Sequence, residues 1–169
     1  EVKNLKNLVD EFLDFARGIK VLRTNVDIKE FAREIEYNFL TELREKNIDL
    51  DIIILDGATS MSFDPDQIKR ALLNIIRNAI DELKDSGRIE IKFEKTESNE
   101  LISVTDNGKG ISPETEPHIF DPFYSTKESG TGLGLSFTQK IVNSHDGDIL
   151  VESTLGKGTK ITIKLPLTL

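Results

Sequence analysis

The stretch that does most to decide the fold runs from Asp64 to Lys84, DPDQIKRALLNIIRNAIDELK. Its apolar residues recur every three or four positions, which predicts a helix with one face in the core. Asp64 followed by Pro65 is typical of a helix start, because Asp can cap free N–H groups and Pro fits the first turn. Asn74 and Asn78 are four residues apart at the margin of the apolar stripe, so we expect their amides on one side of the helix.

The segments on either side of this helix predict a mixture of strands and helices. β-branched or alternating segments predict strands at 51–55, 88–95, 100–105, 149–152 and 160–165. Helical spacing of apolar residues predicts further helices at 1–20, at about 31–43 and at 134–144, with a short strand or loop at 24–28. The strands and helices alternate without a strict βαβ rhythm. We therefore predict an α+β fold, a two-layer sandwich of one sheet and a helical layer.

Composition and charge exclude several classes of protein. The chain has 169 residues with 22 Lys and Arg, 30 Asp and Glu, and no cysteine. Its formal charge of -8 repels phosphate backbones and argues against nucleic-acid binding. The longest apolar run, Ile52–Leu55, is far shorter than the roughly 20 residues that span a bilayer, so we expect no membrane insertion of this fragment. Without cysteine a disulfide framework is excluded, and a reducing compartment such as the cytoplasm is favoured.

The first twenty residues differ from the rest in organisation. They carry a full apolar stripe that Gly18 is expected to end, with little sequence after it that could cover the stripe. The chain also begins at Glu1 and not at Met, so we expect a piece of a longer protein. We predict that residues 1–20 are the end of a helical domain, and that residues 21–169 form the main domain.

A strand end and a glycine-rich turn are the candidate ligand contacts. Asp106-Asn107-Gly108-Lys109-Gly110 follows a predicted strand, and it predicts either a hairpin turn or a ligand contact. No alternating strand follows, which favours the ligand contact over the hairpin turn. Asp106 could then accept a hydrogen bond from an exocyclic amine such as that of adenine. Residues 130–134, GTGLG, open a helix and are typical of an anion cradle. The long Pro- and Gly-rich loop between these two motifs has the composition of a lid.

Each of the other polar candidates has a plain explanation beside a functional one. Asn74 and Asn78 could be solvated amides, or one of them could offer its carbonyl oxygen to a hard cation such as Mg²⁺. The segment Gly156-Lys157-Gly158 fails the P-loop pattern and is predicted to be the turn between the last two strands. His118 and His145 have no metal-site spacing, so we expect a surface or capping role for them.

Taken together and in this order, the motifs resemble the catalytic ATP-binding domain of a bacterial two-component sensor histidine kinase. This group belongs to the gyrase, heat-shock chaperone, histidine kinase and mismatch-repair superfamily. Four segments resemble the named motifs of this family. Asn74–Asn78 resembles its N box and Phe120–Phe123 its F box, while Asp106–Gly110 and Gly130–Gly134 resemble its two glycine boxes. The resemblance covers about residues 21–167 and implies a Bergerat-type sandwich of a mixed sheet and helices with a long ATP lid. Residues 1–20 resemble the end of the dimerisation and histidine-phosphotransfer helix.

The resemblance also implies roles for individual residues. Asn78 would bind Mg²⁺ and Asn74 would lie near the γ-phosphate, both as catalytic residues. Asp106 would bind the adenine amino group, supported by Thr159, and Phe120 would wall the base with Ile111. The full set implied for binding ATP is Asn74, Arg77, Asn78, Asp81, Asp106, Gly108, Gly110, Ile111, Phe120, Lys127, Gly130, Thr131, Gly132, Leu133, Gly134, Leu135 and Thr159.

Two departures from the family pattern matter for the chemistry. Many members carry Lys three residues after the second Asn of the N box, whereas this chain has Asp81. A cation must then come from Arg77 or Lys127, or the site works without one. The phosphoacceptor motif, a His followed by an acidic residue on a helix, is also absent, because Gly147 and the strand after His145 exclude that helix.

The implied function is transfer of the ATP γ-phosphate to a histidine on an upstream dimerisation and phosphotransfer domain. From there it would pass to an aspartate of a response regulator receiver domain. An alternative is a serine kinase or an ATPase of the same superfamily, and another is a nucleotide-dependent binding module. Asn74 stands where the ATP-hydrolysing relatives place Glu, and an amide cannot act as a base, which favours the kinase.

Overall fold

The computed structural model describes residues 18–83, 86–127 and 130–167. Its helices are α1 (Ile28–Tyr37), α2 (Leu40–Glu45), α3 (Pro65–Leu83) and α4 (Gly134–Ser144), with a 3₁₀ turn at Glu116–His118. Its strands are β1 (Thr24–Asp27), β2 (Ile48–Ile54), β3 (Ser60–Phe63), β4 (Gly87–Lys95), β5 (Asn99–Asp106), β6 (Asp148–Thr154) and β7 (Gly158–Pro166). Residues 1–17 of the predicted first helix lie outside the described residues.

A five-stranded sheet forms one layer of the fold. Its strand order is β2-β4-β5-β7-β6, and β2 runs parallel to β4 while the other neighbours are antiparallel. On β4 the residues Ile89, Ile91 and Phe93 face the core, and the charged residues between them face outward. Buried side chains from α1, α3 and α4 complete one continuous core with this sheet face. The predicted two-layer α+β sandwich of a mixed sheet and a helical layer is confirmed.

Helix α3 is the central element of the helical layer. The apolar side chains of its predicted stripe are buried, from Ile68 to Leu83. Asp64 precedes the helix, and its Oδ1 accepts a hydrogen bond from the Gln67 N–H at 3.2 Å, which confirms the predicted cap. Asn74 and Asn78 are half-buried at the edge of the stripe, so the helix presents both amides to one side.

The structure differs from the sequence pattern in two places. The helix predicted at about 31–43 is divided, because the Asn38 and Phe39 N–H groups bond to carbonyls three residues back instead of four. This tighter turn keeps the Phe39 ring in the core. The second difference is β3, a four-residue strand that pairs with β1 in a separate antiparallel ribbon. Its pattern is too short to distinguish from a loop without that partner.

His145 joins the end of α4 to the start of α3. Its ring is fully buried, Nδ1 lies 2.8 Å from the Ile141 carbonyl oxygen, and Nε2 lies 3.2 Å from the backbone N of Asp64. Nδ1 therefore donates and Nε2 accepts, which is the neutral imidazole. Burial lowers the pKa of His145, in accord with this state. The residue caps α4 as expected, but it lies in the interior and not at the surface.

Candidate functional site

A cavity of about 570 Å³ opens between α3, the start of α4, the sheet and the loop that joins β5 to α4. We call its two regions the sheet end, lined by Asp106, Gly110, Ile111, Leu155 and Thr159, and the lid end, lined by Asn78, Asp81, Lys127 and residues 130–134. The volume is in the range of small-molecule and cofactor sites.

At the sheet end, Asp106 is held where β5 leaves the sheet. Its Oδ1 accepts a hydrogen bond from the Gly108 N–H at 2.8 Å, and the backbone of Thr159 on the neighbouring strand provides another. Burial raises the pKa of Asp106 in spite of these two bonds, and the nearby Glu82 carboxylate adds to the effect. The result is a fixed, partly desolvated carboxyl group that lines the cavity.

Ser153 of β6 connects the Ile111 backbone to the start of β7 at the sheet end. Its Oγ accepts a hydrogen bond from the Ile111 N–H at 2.9 Å and lies 2.9 Å from Thr159 Oγ1 and 3.1 Å from the Gly158 carbonyl oxygen. The sequence pattern did not single out this serine, because its partners become its neighbours only through the pairing of β6 with β7.

The turn between β6 and β7 packs directly on the first glycine motif. The Gly156 N–H donates to the Lys109 carbonyl at 2.6 Å. A side chain at Gly110, whose φ is +73°, would overlap the Thr154 carbonyl. This contact places Leu155 on the cavity wall, where it is still 62% exposed.

At the lid end, one ammonium group contacts two side chains of α3. Lys127 Nζ lies 2.8 Å from Asp81 Oδ2 and 3.2 Å from Asn78 Oδ1. Asn78 and Asp81 are three residues apart and therefore share a face of the helix. Because Lys127 lies on the loop, the lid places a positive charge beside the helix that carries Asn74 and Asn78.

Asn74 has a different environment from Asn78. Its Nδ2 donates to the Gly134 carbonyl at 3.1 Å and is 3.5 Å from Thr138 Oγ1. The side chain thus connects α3 to the first turn of α4, where the glycine-rich motif begins the helix. It also lines the cavity, next to Gly134.

The glycine-rich motif lies against the F box backbone. The Phe123 N–H donates to the Gly132 carbonyl at 3.0 Å, and a side chain at Gly132 (φ +70°) would overlap the Phe123 backbone. Phe123 itself has a left-handed backbone with φ of +67°. Glycine at position 132 is therefore required by this close approach.

Most of the residues predicted to bind ATP lie together. Those that line the cavity are Asn74, Arg77, Asn78, Asp81, Asp106, Gly110, Ile111, Lys127, Gly130, Thr131, Gly132, Leu133, Gly134, Leu135 and Thr159. Arg77 forms an ion pair with Glu42 and lies 5.0 Å from the centre of the Phe39 ring, which directs its charge toward α2.

Two predicted residues are separated from this set. Phe120 lines a second cavity of about 380 Å³ with Pro122 and residues of α4, and it does not line the main cavity. Its neighbour Ile119 lines the main cavity instead. Gly108 lies behind Asp106 against Glu82 and not on the cavity wall.

A family model described as "Histidine kinase-, DNA gyrase B-, and HSP90-like ATPase" matches residues 63–169, which include every residue lining the main cavity. The chain belongs to this family. The matched segment contains both glycine motifs and the helix that carries Asn74 and Asn78.

Relatives and solved structures agree with this assignment. The chain is 33% identical over 168 residues to the signal transduction histidine-protein kinase AtoS of Escherichia coli (strain K12), covering 99% of this chain and 28% of AtoS. It matches the catalytic domain of the histidine kinase ThkA with a TM-score of 0.78 and 32% identity, covering 86% of this chain and 97% of that domain. ThkA in complex with the response regulator protein TrrA matches with a TM-score of 0.83, 28% identity and coverage of 99% and 48%.

The domain is only a part of the proteins that it resembles. The chain spans 23% to 39% of the length of the first curated relatives that it matches. Among residues 18–83, 86–127 and 130–167, no helix is long and apolar enough to cross a membrane. The same residues contain no cluster of three or more His, Cys, Asp or Glu side chains that could hold a metal ion by themselves.

Proposed function

We propose that this domain binds ATP with its base at the sheet end and its phosphates at the lid end, and that it donates the γ-phosphate to a histidine. The observation that carries the proposal is that one cavity has both a fixed carboxyl, Asp106, and an ammonium group, Lys127, on its wall. The carboxyl can accept a hydrogen bond from the exocyclic amine of a purine, and the lysine ammonium can pair with a triphosphate.

At the sheet end, Asp106 is the proposed acceptor for the adenine amino group. The backbone bonds from Gly108 and Thr159 hold the carboxyl in place before any ligand arrives. The apolar side chains of Ile111 and Leu155 stand on the same part of the wall and would cover the faces or edge of the ring.

At the lid end, the backbone of residues 130–134 and the start of α4 are the proposed phosphate contacts. The first N–H groups of a helix have no partners within the helix, and they lie at the positive end of its dipole. Thr131, Gly132 and Leu133 line the cavity immediately before that helix start. Lys127 supplies a full positive charge in the same region.

Asn78 is the proposed protein ligand of Mg²⁺. The fit is supported by Lys127, because the Asn78 oxygen already faces a positive charge at 3.2 Å. Magnesium commonly takes one or two protein oxygens and completes its shell with phosphate and water, so a single amide is enough. When bound there, the cation would neutralise phosphate oxygens, while Asn78 would fix its place relative to α3.

The arrangement favours phosphoryl transfer over hydrolysis. The two carboxylates of α3 on the cavity wall, Asp81 and Glu82, are paired with Lys127 at 2.8 Å and with Lys109 at 2.9 Å. Asn74 donates a hydrogen bond to the Gly134 carbonyl at the start of α4, and its amide cannot act as a base. A neutral imidazole is itself a nucleophile, so an incoming histidine needs less help from the site than water does.

The acceptor and the next carrier are proposed to lie on other domains. The acceptor histidine belongs to an upstream dimerisation and phosphotransfer domain, and the final recipient is the aspartate of a response regulator. The solved complex of ThkA with the response regulator protein TrrA supports a response regulator as partner, and the names of the relatives support a histidine kinase. We also infer a cytoplasmic location, where ATP is available and where folding does not rely on disulfides, which this chain cannot form within itself.

The test is phosphorylation with γ-labelled ATP in the presence of a separately expressed upstream helical domain. We expect a label on that domain that is lost in acid and kept in base, as for a phosphoramidate. A label stable in acid would indicate a serine kinase, and release of inorganic phosphate alone would indicate an ATPase. Nucleotide binding without either would indicate a binding module, and each of these three outcomes would contradict the proposal.

A further inference from the structure

The contact between the lid and α3 at Lys127 indicates a role for Asp81 that a phosphate site does not by itself explain. A carboxylate beside a triphosphate is repulsive, yet Asp81 lies at the lid end with its carboxylate 2.8 Å from the lysine ammonium. The same ammonium reaches the Asn78 oxygen at 3.2 Å. Lys127 thus has a protein carboxylate as partner at the place proposed for the phosphates.

We propose that Asp81 is a positioning residue, which holds Lys127 and the lid beside Asn78 until the phosphates replace the carboxylate as partners of the ammonium. This inference rests on the proposed function and adds a partner exchange to it. Asp81 would keep the lysine aimed into the cavity, so that closure of the lid and neutralisation of the phosphates become one event.

The backbone around Lys127 supports this reading of the contact. Its N–H bonds to Ser125 Oγ at 3.1 Å, Ser125 Oγ bonds to the Lys127 carbonyl at 3.2 Å, and the Gly130 N–H bonds to the same carbonyl at 3.3 Å. These bonds form a local turn on the loop, whereas the lysine side chain reaches α3. The Lys127 side chain therefore connects this turn to α3.

The strength of the ion pair suits an exchangeable partner. The Lys127 and Asp81 side chains are 30% and 36% exposed, so water screens their attraction. Phosphate oxygens that carry several charges form stronger charge-assisted hydrogen bonds with the same ammonium. Arg77, the other residue predicted as a source of the cation, pairs with Glu42, and Lys109 on the cavity wall pairs with Glu82.

The first arm of the test measures amide hydrogen exchange of lid residues 119–127 without nucleotide. We expect Asp81→Asn and Lys127→Met each to raise exchange several-fold, the double variant to add nothing further, and Asp81→Glu to stay near the parent. Lys69→Met is the matched control, because Lys69 lies on α3 like Asp81, is 31% exposed, pairs with Glu34 of α1 at 2.8 Å and does not line the cavity. Exchange at the parental rate in Asp81→Asn would overturn the proposal.

The second arm repeats the measurement at saturating ATP with Mg²⁺. If the phosphates replace Asp81, the Asp81→Asn lid now exchanges like the parent, while the Lys127→Met lid still exchanges faster. An Asp81→Asn effect that persists with ATP would show that the lysine keeps its carboxylate, which contradicts the exchange. Failure of the parent to bind ATP at all would instead refute the proposed function, and the first arm would still report on Asp81.

Discussion

The two ends of the cavity are built in different ways. At the sheet end, Asp106 and Thr159 lie opposite each other on paired strands, and Ser153 contacts Thr159 and the Ile111 N–H. At the lid end, Asn78 and Asp81 meet the loop through the side chain of Lys127. Backbone pairing fixes positions with little freedom, whereas a long side chain can change partners. The comparison indicates that the proposed base site is preformed and that the proposed phosphate site is adjustable.

The largest expected effect is at the lid end. Asn78→Ala removes the proposed magnesium ligand, and we expect the affinity for ATP with Mg²⁺ to fall by roughly 100-fold, because even the outer partners of a metal commonly contribute 10- to 100-fold. The affinity for adenosine should be unchanged, since the Asn78 side chain contacts Lys127 of the lid and is not one of the proposed base contacts. Titration calorimetry with both ligands measures this. Parental affinity for ATP with Mg²⁺ would contradict the assignment.

The next effect is at the sheet end. Asp106→Asn replaces an acceptor oxygen by a donor, and we expect the preference for ATP over GTP to fall by about tenfold, the value of one hydrogen bond. Competition binding with the two nucleotides measures the preference. An unchanged preference would show that the base lies elsewhere, and the description of a preformed base site would then be wrong.

A third prediction concerns the framework under both ends. His145 is neutral in its buried site, and its pKa lies below the ordinary value of 6.5. Below that pH the unfolded chain takes up a proton that the folded chain does not, so acidification should lower the free energy of unfolding. The slope can reach about 1.4 kcal/mol per pH unit between 6.5 and the folded pKa, and it should vanish above that window.

Urea unfolding of the parent and of His145→Gln at pH 7.0 and 5.5 checks the histidine prediction. The parent should lose more stability than the variant over this interval, although the variant is less stable at both values. Exposed His118 is present in both proteins and cancels in the comparison. Equal losses would mean that the imidazole does not hold α3 and α4 in its neutral form.

The smallest effect is expected on the outer wall of the sheet end. Leu155→Ala should weaken ATP and adenosine equally, by about fivefold, because the side chain becomes covered only when a base lies against it. Leu150→Ala is the matched control, since Leu150 is 51% exposed on the adjoining strand and lies outside the cavity. Equal affinities of the Leu155 variant and its control would remove Leu155 from the base site.

The sequence predicts the parts of this molecule that depend on local pattern. The stripe of α3 and the two asparagines at its edge follow from helical spacing alone, and the cap at Asp64 follows from the chemistry of helix starts. The glycine motifs are also local features, because a left-handed backbone at Gly110 and Gly132 restricts the residue type wherever the partner lies.

The remaining features depend on contacts between distant segments. Ser153 and Leu155 reach the sheet end only because β6 pairs with β7 and its turn packs on Lys109. Phe120 was predicted beside the base, but the chain turns so that Ile119 faces the main cavity and Phe120 faces the second one. No periodicity in an irregular loop specifies which of two adjacent side chains points inward.

The orientation of ATP along the cavity is the central claim of the proposed function. The measurement that tests it most directly compares the affinities for adenosine and for ATP with Mg²⁺ in Asp106→Asn and Lys127→Met, with Lys69→Met as control. We predict that Asp106→Asn weakens both ligands alike, whereas Lys127→Met weakens ATP by about tenfold and leaves adenosine unchanged. The reverse pattern, or an equal loss of both ligands in Lys127→Met, would contradict the account.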